Sequence, residues 1–467
     1  MKIVVDLDKS LLKTDLFVES FFKLIFSKPW LVFKVLKKLI ISKSKCKSYV
    51  ASNININPQN LPYNKRVLDL VTNYKNKGNS IILSTGAPRK HAEQIYNYLN
   101  IFEEFYSSTN EINNVGIEKL KSLKKNNIDE FIYLGDSNKD FQIWNFCKKA
   151  IVVNLERKKI NKLKKMGVKI YQEINTKQNT FSDFLKQIRI HQWLKNILLF
   201  VPTFAAHEIF NLSFFVNCVA AFLSFSLIAS SVYIYNDFLD LDNDRSHITK
   251  KHRPLSSAKI DSLTAAFLMS LLFLVGFIIS FKISFSFFVL CSIYIILNVL
   301  YSGVFKKIIA IDIILLSFFY MVRLFGGFVI NDTEFSIWLT GFLFGVFLSL
   351  GSMKRFIEII KLKEKPSGRG YLYSDLSTIQ TIGISSGIIA ALILILYSVS
   401  ENVFKLYNSP QLILLVVPLY LYWILRIWIL ASRKVVNMDP VVFIIKDPPT
   451  YVILLLSSLT FLLASII

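Results

Sequence analysis

Cysteine is almost missing from this sequence: Cys46, Cys147, Cys218 and Cys291 are all there are in 467 residues. They lie scattered without metal-ligand spacing, two of them inside apolar runs, so neither a disulfide framework nor a zinc site follows. An apolar leader is lacking as well. Met1-Lys2-Ile3-Val4-Val5-Asp6 reaches an acid before a signal-peptide core could form, and the front of the chain is expected to stay in the cytosol. Charge is sparse over long stretches after about residue 190, and a composition with 53% hydrophobic residues and 40 Phe is too apolar for an ordinary soluble protein. The formal net charge of +23 then belongs to cytoplasmic loops and anionic headgroups, not to nucleic acid. These features describe a membrane protein with a soluble front end, with domains expected at residues 1–180 and 188–467.

What is present centres on Asn236-Asp237-Phe238-Leu239-Asp240-Leu241-Asp242-Asn243-Asp244-Arg245, at the end of an apolar run and just before Lys250, Lys251, Arg253 and Pro254. On a helix, Asp237, Asp240 and Asp244 share one face and can aim oxygens at a common point. Such a cluster suits a hard divalent cation such as Mg2+, completed by water and substrate phosphates. The bland reading is a solvated acidic helix end; ionisable groups at a membrane edge argue for function instead.

In the front part, Ile3-Val4-Val5 reads as a buried strand that delivers Asp6-Leu7-Asp8-Lys9-Ser10 to its carboxyl end, where open α/β sheets bind ligands. A second run, Ser80-Ile81-Ile82-Leu83, ends in Ser84-Thr85-Gly86. A third, Phe131-Ile132-Tyr133-Leu134, ends in Gly135-Asp136-Ser137-Asn138-Lys139-Asp140. Helical stretches near residues 64–77, 88–100 and 139–149 give the alternation of a parallel sheet flanked by helices. Together these motifs resemble the haloacid dehalogenase (HAD) phosphatase superfamily, a Rossmannoid parallel sheet with a small cap. The resemblance implies Asp6 as nucleophile, Asp8 as general acid and base, and Thr85, or Ser84, holding the phosphoryl group, with Lys119 neutralising it. It implies one Mg2+ held among Asp6, Asp8, Asp136 and Asp140. Lys9-Ser10 departs from the family's usual Gly-Thr, which bears on turnover; the alternative is an idle domain of the same shape.

Between the first two motifs, Phe21 to Ile40 mixes aromatics and Lys at helical spacing, as in a cap that also touches the lipid surface. Residues Gln172 to Gln187 read as the junction. Uncharged runs able to span roughly 30 Å of hydrocarbon occur at Ile209–Asn236, Ser262–Phe281, Ile283–Phe305, Phe335–Met353, Leu376–Ser400, Leu406–Leu425 and Pro448–Ile467. Ile308–Ile330 adds a span despite Asp312 and Arg323, and the short Asn196–Phe210 makes nine. Basic residues crowd the connections at Lys250–Lys259, Lys306-Lys307, Lys354–Arg369 and Arg433–Lys446, which makes those loops cytoplasmic. With nine crossings in a plasma membrane of bacterial type, the front domain is cytoplasmic and the C-terminus outside.

The acids and the basic groups His191 to Asn196, Tyr301 to Lys306 and Lys354 to Glu358 then share one face, as a phosphate-binding cavity would require. The membrane half resembles the UbiA superfamily of intramembrane prenyltransferases, through the Asn-Asp-x-x-Asp-x-x-x-Asp of Asn236, Asp237, Asp240 and Asp244. It is most similar to the branch that includes decaprenyl-phosphate phosphoribosyltransferase, through Gln192-Trp193-Leu194-Lys195-Asn196, Lys354-Arg355-x-x-Glu358 and Asp439-Pro440-Val441-Val442-Phe443. Lys354-Arg355-x-x-Glu358 stands where aromatic prenyltransferases carry a second acid pair.

The resemblance implies transfer of 5-phosphoribosyl from phosphoribosyl diphosphate to a polyprenyl phosphate. Asp237, Asp240 and Asp244 would hold one or more Mg2+, with Asp237 and Asp240 central to catalysis. Lys195, Asn236, Lys250, Arg253, Tyr301, Lys306, Lys354, Arg355 and Glu358 would line the substrates. The fused front domain is then expected to remove the 5-phosphate, giving a ribosyl lipid for cell-envelope polysaccharide. The alternatives are transfer of a prenyl chain to an aromatic or other acceptor, and a transporter or scaffold with a regulatory HAD module; acids and bases gathered at one face and not at the bilayer midplane argue against the last.

Overall fold

The computed structural model describes residues 1–176, 180–362, 369–401, 403–436 and 439–467. Parts of the expected junction (177–179) and of the basic or polar connections (363–368, 402, 437 and 438) lie outside the described residues. The chain forms two units, residues 1–190 with 230–272, and residues 191–229 with 273–467.

The first unit is built on six parallel strands: β1 (Lys2–Val5), β2 (Ser80–Pro88), β3 (Glu104–Ser108), β4 (Phe131–Gly135), β5 (Lys149–Val153) and β6 (Ile170–Ile174). Their order is β3-β2-β1-β4-β5-β6. Alternation along β1 sends Ile3 and Val5 to one side, with Leu7, Leu11, Val67 and Ile95, and Val4 to the other, with Tyr133, Trp144 and Leu163. Each fully buried Val, Ile or Leu contributes roughly 1.5–3 kcal/mol, so a sheet covered on both faces needs apolar runs rather than alternation. That is why β1, β2 and β4 are legible in the sequence. β3, β5 and β6 are not among the expected strands; β3 and β6 are polar edge strands, whereas β5 is buried. The helix expected at 139–149 is only Phe141–Trp144, and the chain then turns through residues 145–148 into β5.

Helices α1 (Leu16–Ser27), α2 (Val32–Ile41) and α3 (Lys43–Asn53) form an insert after β1, with its own small core of Leu24, Val35, Cys46, Val50 and Ile54. Helices α4 (Lys65–Asn76), α5 (Arg89–Leu99), α6 (Ile117–Lys125), α7 (Phe141–Trp144) and α8 (Arg157–Lys165) belong to the sheet. They are followed by α9 (Phe181–Gln187), α10 (Val201–Ala205), α11 (Leu212–Leu239), α12 (Leu241–Ser246), α13 (Ser262–Ile283) and α14 (Phe285–Gly303). The chain ends with α15 (Ile311–Ile330), α16 (Ile337–Leu362), α17 (Leu376–Ser398), α18 (Val416–Ser432), α19 (Pro440–Ile444) and α20 (Pro448–Ile466).

Among the described residues eight of these, α11, α13 to α18 and α20, are long and apolar enough to cross a membrane. The expectation was nine. Among the described residues, Asn196–Phe210 is not a ninth such helix: it is a 3-10 stretch over Ile190–Phe200 followed by the five-residue α10, which carries Pro202 in its first turn. Polar anchoring accompanies the break, since Asn196 Nδ2 donates to Ser226 Oγ at 2.8 Å and Asn196 Oδ1 accepts from Arg323 Nε at 2.7 Å. The first long helix also runs three residues beyond Asn236, which carries Asp237 into its last turn.

In the second unit, α16, α17 and α18 meet across small residues. A Cβ at Gly383 would lie 2.1 Å from the Trp428 ring, whose Nε1 donates to Ser349 Oγ at 2.9 Å. Without a strong hydrophobic drive between helices in lipid, such close approach is what holds them together. Gly383→Ala is therefore expected to cost about 1–3 kcal/mol by overpacking. Thermal unfolding in detergent should show a lowered midpoint for Gly383→Ala and none for Gly303→Ala, where the added methyl meets open space.

Candidate functional site

Strand order reverses between β1 and β4, and the crevice beyond their carboxyl ends is where such sheets bind ligands. Register sets Val5 beside Leu83 and Leu134, so Asp6, Ser84 and the Gly135-Asp136 turn emerge side by side. Asp6, Asp136 and Asp140 each offer an oxygen within 4.8 Å of the others. Lys119 Nζ donates to Asp6 Oδ1 at 2.8 Å and to the Tyr133 hydroxyl at 2.9 Å, and lies 3.9 Å from Asp140 Oδ1.

The three acids are not equivalent. Asp140 Oδ1 accepts from Tyr133 at 2.7 Å, while Oδ2 accepts from the Ser137 backbone and hydroxyl, both at 3.0 Å, so Asp140 buttresses the turn. Burial, followed by the charges of Asp6 and Asp140, pushes Asp136 up to about 8; burial raises Asp6 to about 6 against the pull of Lys119. Asp8 stands outside this trio. Its Oδ1 accepts from the Leu16 backbone at 2.9 Å, and burial together with Asp15 raises it to about 8. Thr85 is buried and its hydroxyl accepts from the Ala87 backbone at 2.9 Å, whereas the buried Ser84 hydroxyl has no hydrogen-bond partner among the described residues. Lys9 sits at φ +56°, a left-handed conformation that favours glycine and costs a side-chain residue about 1 kcal/mol, a physical reason for Gly at that place.

The same unit contains the second acid cluster. Asp237 and Asp244 are both buried, and the Arg253 guanidinium bridges them, 3.1 Å from Asp237 Oδ1 and in contact with Asp244 Oδ2. Arg189 also pairs with Asp237, whose Oδ2 accepts from Gln187 Nε2 at 3.0 Å. Among the described residues Asp244 Oδ1 is buried without a hydrogen-bond partner, and the exposed Lys250 approaches it at 3.8 Å. Asp240 and Asn236 are half-buried, and the backbone bonds from Asp240 N to Asn236 O (3.0 Å) and from Asp244 N to Asp240 O (2.8 Å) carry the turn through the break between α11 and α12. The sequence brings Asp237 and Asp244 to one guanidinium. Among the described residues, however, Asp237, Asp240 and Asp244 are not a trio with all oxygens within 4.8 Å.

In the second unit, Arg355 is fully buried and forks onto Asp312, with contacts to Glu358 and, at 3.0 Å, to the Tyr301 hydroxyl. Tyr301 donates to Asp312 Oδ1 at 2.7 Å, and Arg369 reaches Tyr301 at 2.9 Å and Glu358 at 3.2 Å. Lys354 and Lys195 converge on Asp439, at 2.9 and 3.5 Å. Lys306 lies half-buried in the turn after α14. Sequence reasoning gave no site role to Gln187, Arg189, Tyr133, Arg369 or Asp439. Asp312 carried the strongest signal, since an acid within an apolar run needs a cation.

The chain belongs to the UbiA prenyltransferase family, whose model matches residues 197–446. It is a multi-pass membrane protein with a parallel α/β region in front. The protein y4nM of Sinorhizobium fredii is 30% identical over 470 residues, covering 99% of this chain and 91% of that protein. The nodulation protein NoeC of Azorhizobium caulinodans is 29% identical over 286 residues, 59% of this chain and 91% of its own length. Decaprenyl-phosphate phosphoribosyltransferase of Mycolicibacterium smegmatis is 30% identical over 190 residues, 39% of this chain and 58% of that enzyme.

The raised carboxyls of the front site make a pH prediction. Asp6, Asp8 and Asp136 hold protons in the folded state that the unfolded chain releases above about pH 4. Their contribution to stability is full below that value and is lost as pH rises toward 8. Unfolding midpoints of the full chain in chelator should fall from pH 5 to pH 8, and Asp136→Asn should flatten the decline. An unchanged slope in the variant would show that Asp136 keeps its ordinary pKa.

Proposed function

We propose that this chain transfers 5-phosphoribosyl from phosphoribosyl diphosphate to a polyprenyl phosphate, and that residues 1–180 form a HAD-type phosphatase that removes the 5-phosphate. Residues 188–467 are the transferase, with the basic loops and the front domain on the cytoplasmic side of a plasma membrane. The observation that carries this reading is similarity to a phosphoribosyltransferase in a chain with Lys354-Arg355-x-x-Glu358 in place of a second acid pair. Basic groups suit the extra phosphates of a sugar diphosphate and a lipid phosphate.

Mg2+ suits both acid clusters, by the oxygen donors themselves, by the orphaned Asp244 Oδ1, and by three front-site carboxylates within 4.8 Å. Asp237, Asp240 and Asp244 would hold it in the membrane half, and Asp6 and Asp136, braced by Asp140, in the front domain. When bound it supplies positive charge to phosphate oxygens and to the departing pyrophosphate. A polyprenyl-phosphate oxygen attacks the anomeric carbon of the ribose as the bond to pyrophosphate breaks. The acceptor is already an anion, so no strong base is required. Lys195, Lys250, Lys306 and Lys354 hold phosphate groups.

In the front domain, an Asp6 oxygen attacks the 5-phosphate and forms an aspartyl-phosphate. Asp8, raised to about 8 and so protonated at neutral pH, gives its proton to the leaving ribose oxygen and then takes one from the water that releases phosphate. Lys119 balances the charge at Asp6. The dephosphorylated ribosyl lipid would serve as donor for cell-envelope polysaccharide.

Full-length protein in nanodiscs with Mg2+, labelled phosphoribosyl diphosphate and polyprenyl phosphate is expected to yield polyprenyl-phosphoryl ribose. Asp6→Asn should accumulate the 5-phosphorylated lipid, Asp8→Asn should slow phosphate release by roughly 10²–10⁴-fold, and Asp237→Ala should make neither lipid. Identical products from wild type and Asp6→Asn would overturn the phosphatase role. The family's prenyl-transferring character favours a second reading, prenyl transfer to an aromatic acceptor, and product only from labelled prenyl diphosphate would establish it.

A further inference from the structure

α2 is unusual for a helix in the water-exposed part of a protein. Of its ten residues only Val35 is buried, while Phe33 is 82%, Ile40 86% and Ile41 55% exposed, and Trp30 just before it is 70% exposed. Interspersed with these are the exposed Lys34, Lys37 and Lys38. Soluble surfaces rarely gather such large apolar side chains in one place, and aromatic and aliphatic residues mixed with lysine are the composition of a helix lying in the headgroup plane.

The neighbouring helix locates this face. Within the same unit, α1 packs on the last turns of α11, a membrane-span helix. Phe22 meets Phe238 with tilted rings whose centres are 5.5 Å apart, the ring centre of Phe26 lies 5.3 Å from that of Tyr235, and the Tyr235 hydroxyl donates to the Phe26 carbonyl at 3.3 Å. Glu19 receives both arms of the Arg245 guanidinium at 2.6 and 2.8 Å, and Lys23 pairs with Asp242. Lys28, at the turn into α2, is tied to the Asn53 carbonyl of α3 at 3.2 Å. The insert is thus fixed to the end of a membrane helix, where lipid headgroups lie.

We propose that α2 is a membrane-surface helix whose apolar side chains enter the interfacial layer while Lys34, Lys37 and Lys38 engage anionic lipid headgroups. Its occupant is the bilayer, chosen by the pairing of lysines with apolar bulk and by continuity with α11 through α1. The inference is independent of the sugar transferred and of turnover in the front domain. Its consequence is that the insert that follows the Asp6 strand is anchored at the lipid surface, where a membrane-bound phosphomonoester would be presented.

The test places a spin label at Ile40→Cys, and as control at Lys125→Cys on the sheet's helix α6, in a full-length Cys147→Ser background; the other three cysteines are buried. Proteins are reconstituted in phosphatidylglycerol nanodiscs, in phosphatidylcholine nanodiscs and in detergent, and collisions with oxygen and with a soluble nickel chelate are measured. The expected result is several-fold protection from nickel at residue 40 in phosphatidylglycerol only, lost on Lys34→Gln/Lys37→Gln/Lys38→Gln, with residue 125 open throughout. Equal exposure of both positions overturns the proposal. So does equal protection in the two lipids, and so does protection in detergent that grows with protein concentration, which would identify a second copy as the occupant.

Discussion

A carboxylate taken out of water has to be neutralised, and several buried acids of this chain meet that requirement with a named cation. Lys119 serves Asp6, Arg189 and Arg253 serve Asp237, Arg245 serves Glu19 and Arg355 serves Asp312. Removing one member of such a buried pair costs about 3–5 kcal/mol, mostly for the charge left behind. The elements bearing these residues are therefore fixed to one another by more than apolar burial. The Glu19 and Arg245 fork is the clearest case, because it joins the insert after β1 to the turn after α11 in a single unit.

The front site is where neutralisation is least complete. One lysine faces Asp6 and Asp140, and Asp136 is left to be raised to about 8 by burial and by its neighbours. Asp140 is spent on Tyr133 and Ser137 and acts as scaffold for the turn that presents Asp136. The strand reversal between β1 and β4 creates the crevice, and within it acids outnumber lysine. Lys9 is held left-handed beside it.

Much of this was legible in the sequence for a physical reason. Strands buried on both faces must be apolar throughout, so β1, β2 and β4 announce themselves, and so do membrane helices; the equally apolar β5 follows so soon after β4 that its start falls within an expected helix. Edge strands such as Glu104–Ser108 and Ile170–Ile174 face solvent and carry no such mark. Asn196–Phe210 is apolar enough to suggest a span, but Pro202 and the hydrogen-bonded Asn196 interrupt it. Spacing placed Asp237 and Asp244 on one face, yet it could not reveal that Arg253, nine residues past Asp244, folds back between them. Gln187 and Arg189 were invisible because a polar stretch before a membrane helix looks like a linker.

The basic groups of the second unit divide by chemistry in a way that spacing alone conceals. Arg355 and Lys354 are adjacent in sequence, but on a helix adjacent residues point to different sides. Arg355, a planar fork, is locked by Asp312, Glu358 and Tyr301, and exchanging those partners for a phosphate would leave the buried Asp312 with Arg369, at 3.3 Å, in place of a bidentate fork. Lys354 converges with Lys195 on the single carboxylate of Asp439. Ammonium groups are compact point charges on flexible stems, and two that share one acid can turn to an incoming phosphate while Asp439 keeps the other. Arg355 is thus suited to holding α14, α15 and α16 in register, and the lysines beside it, in the proposed transfer, to meeting substrate.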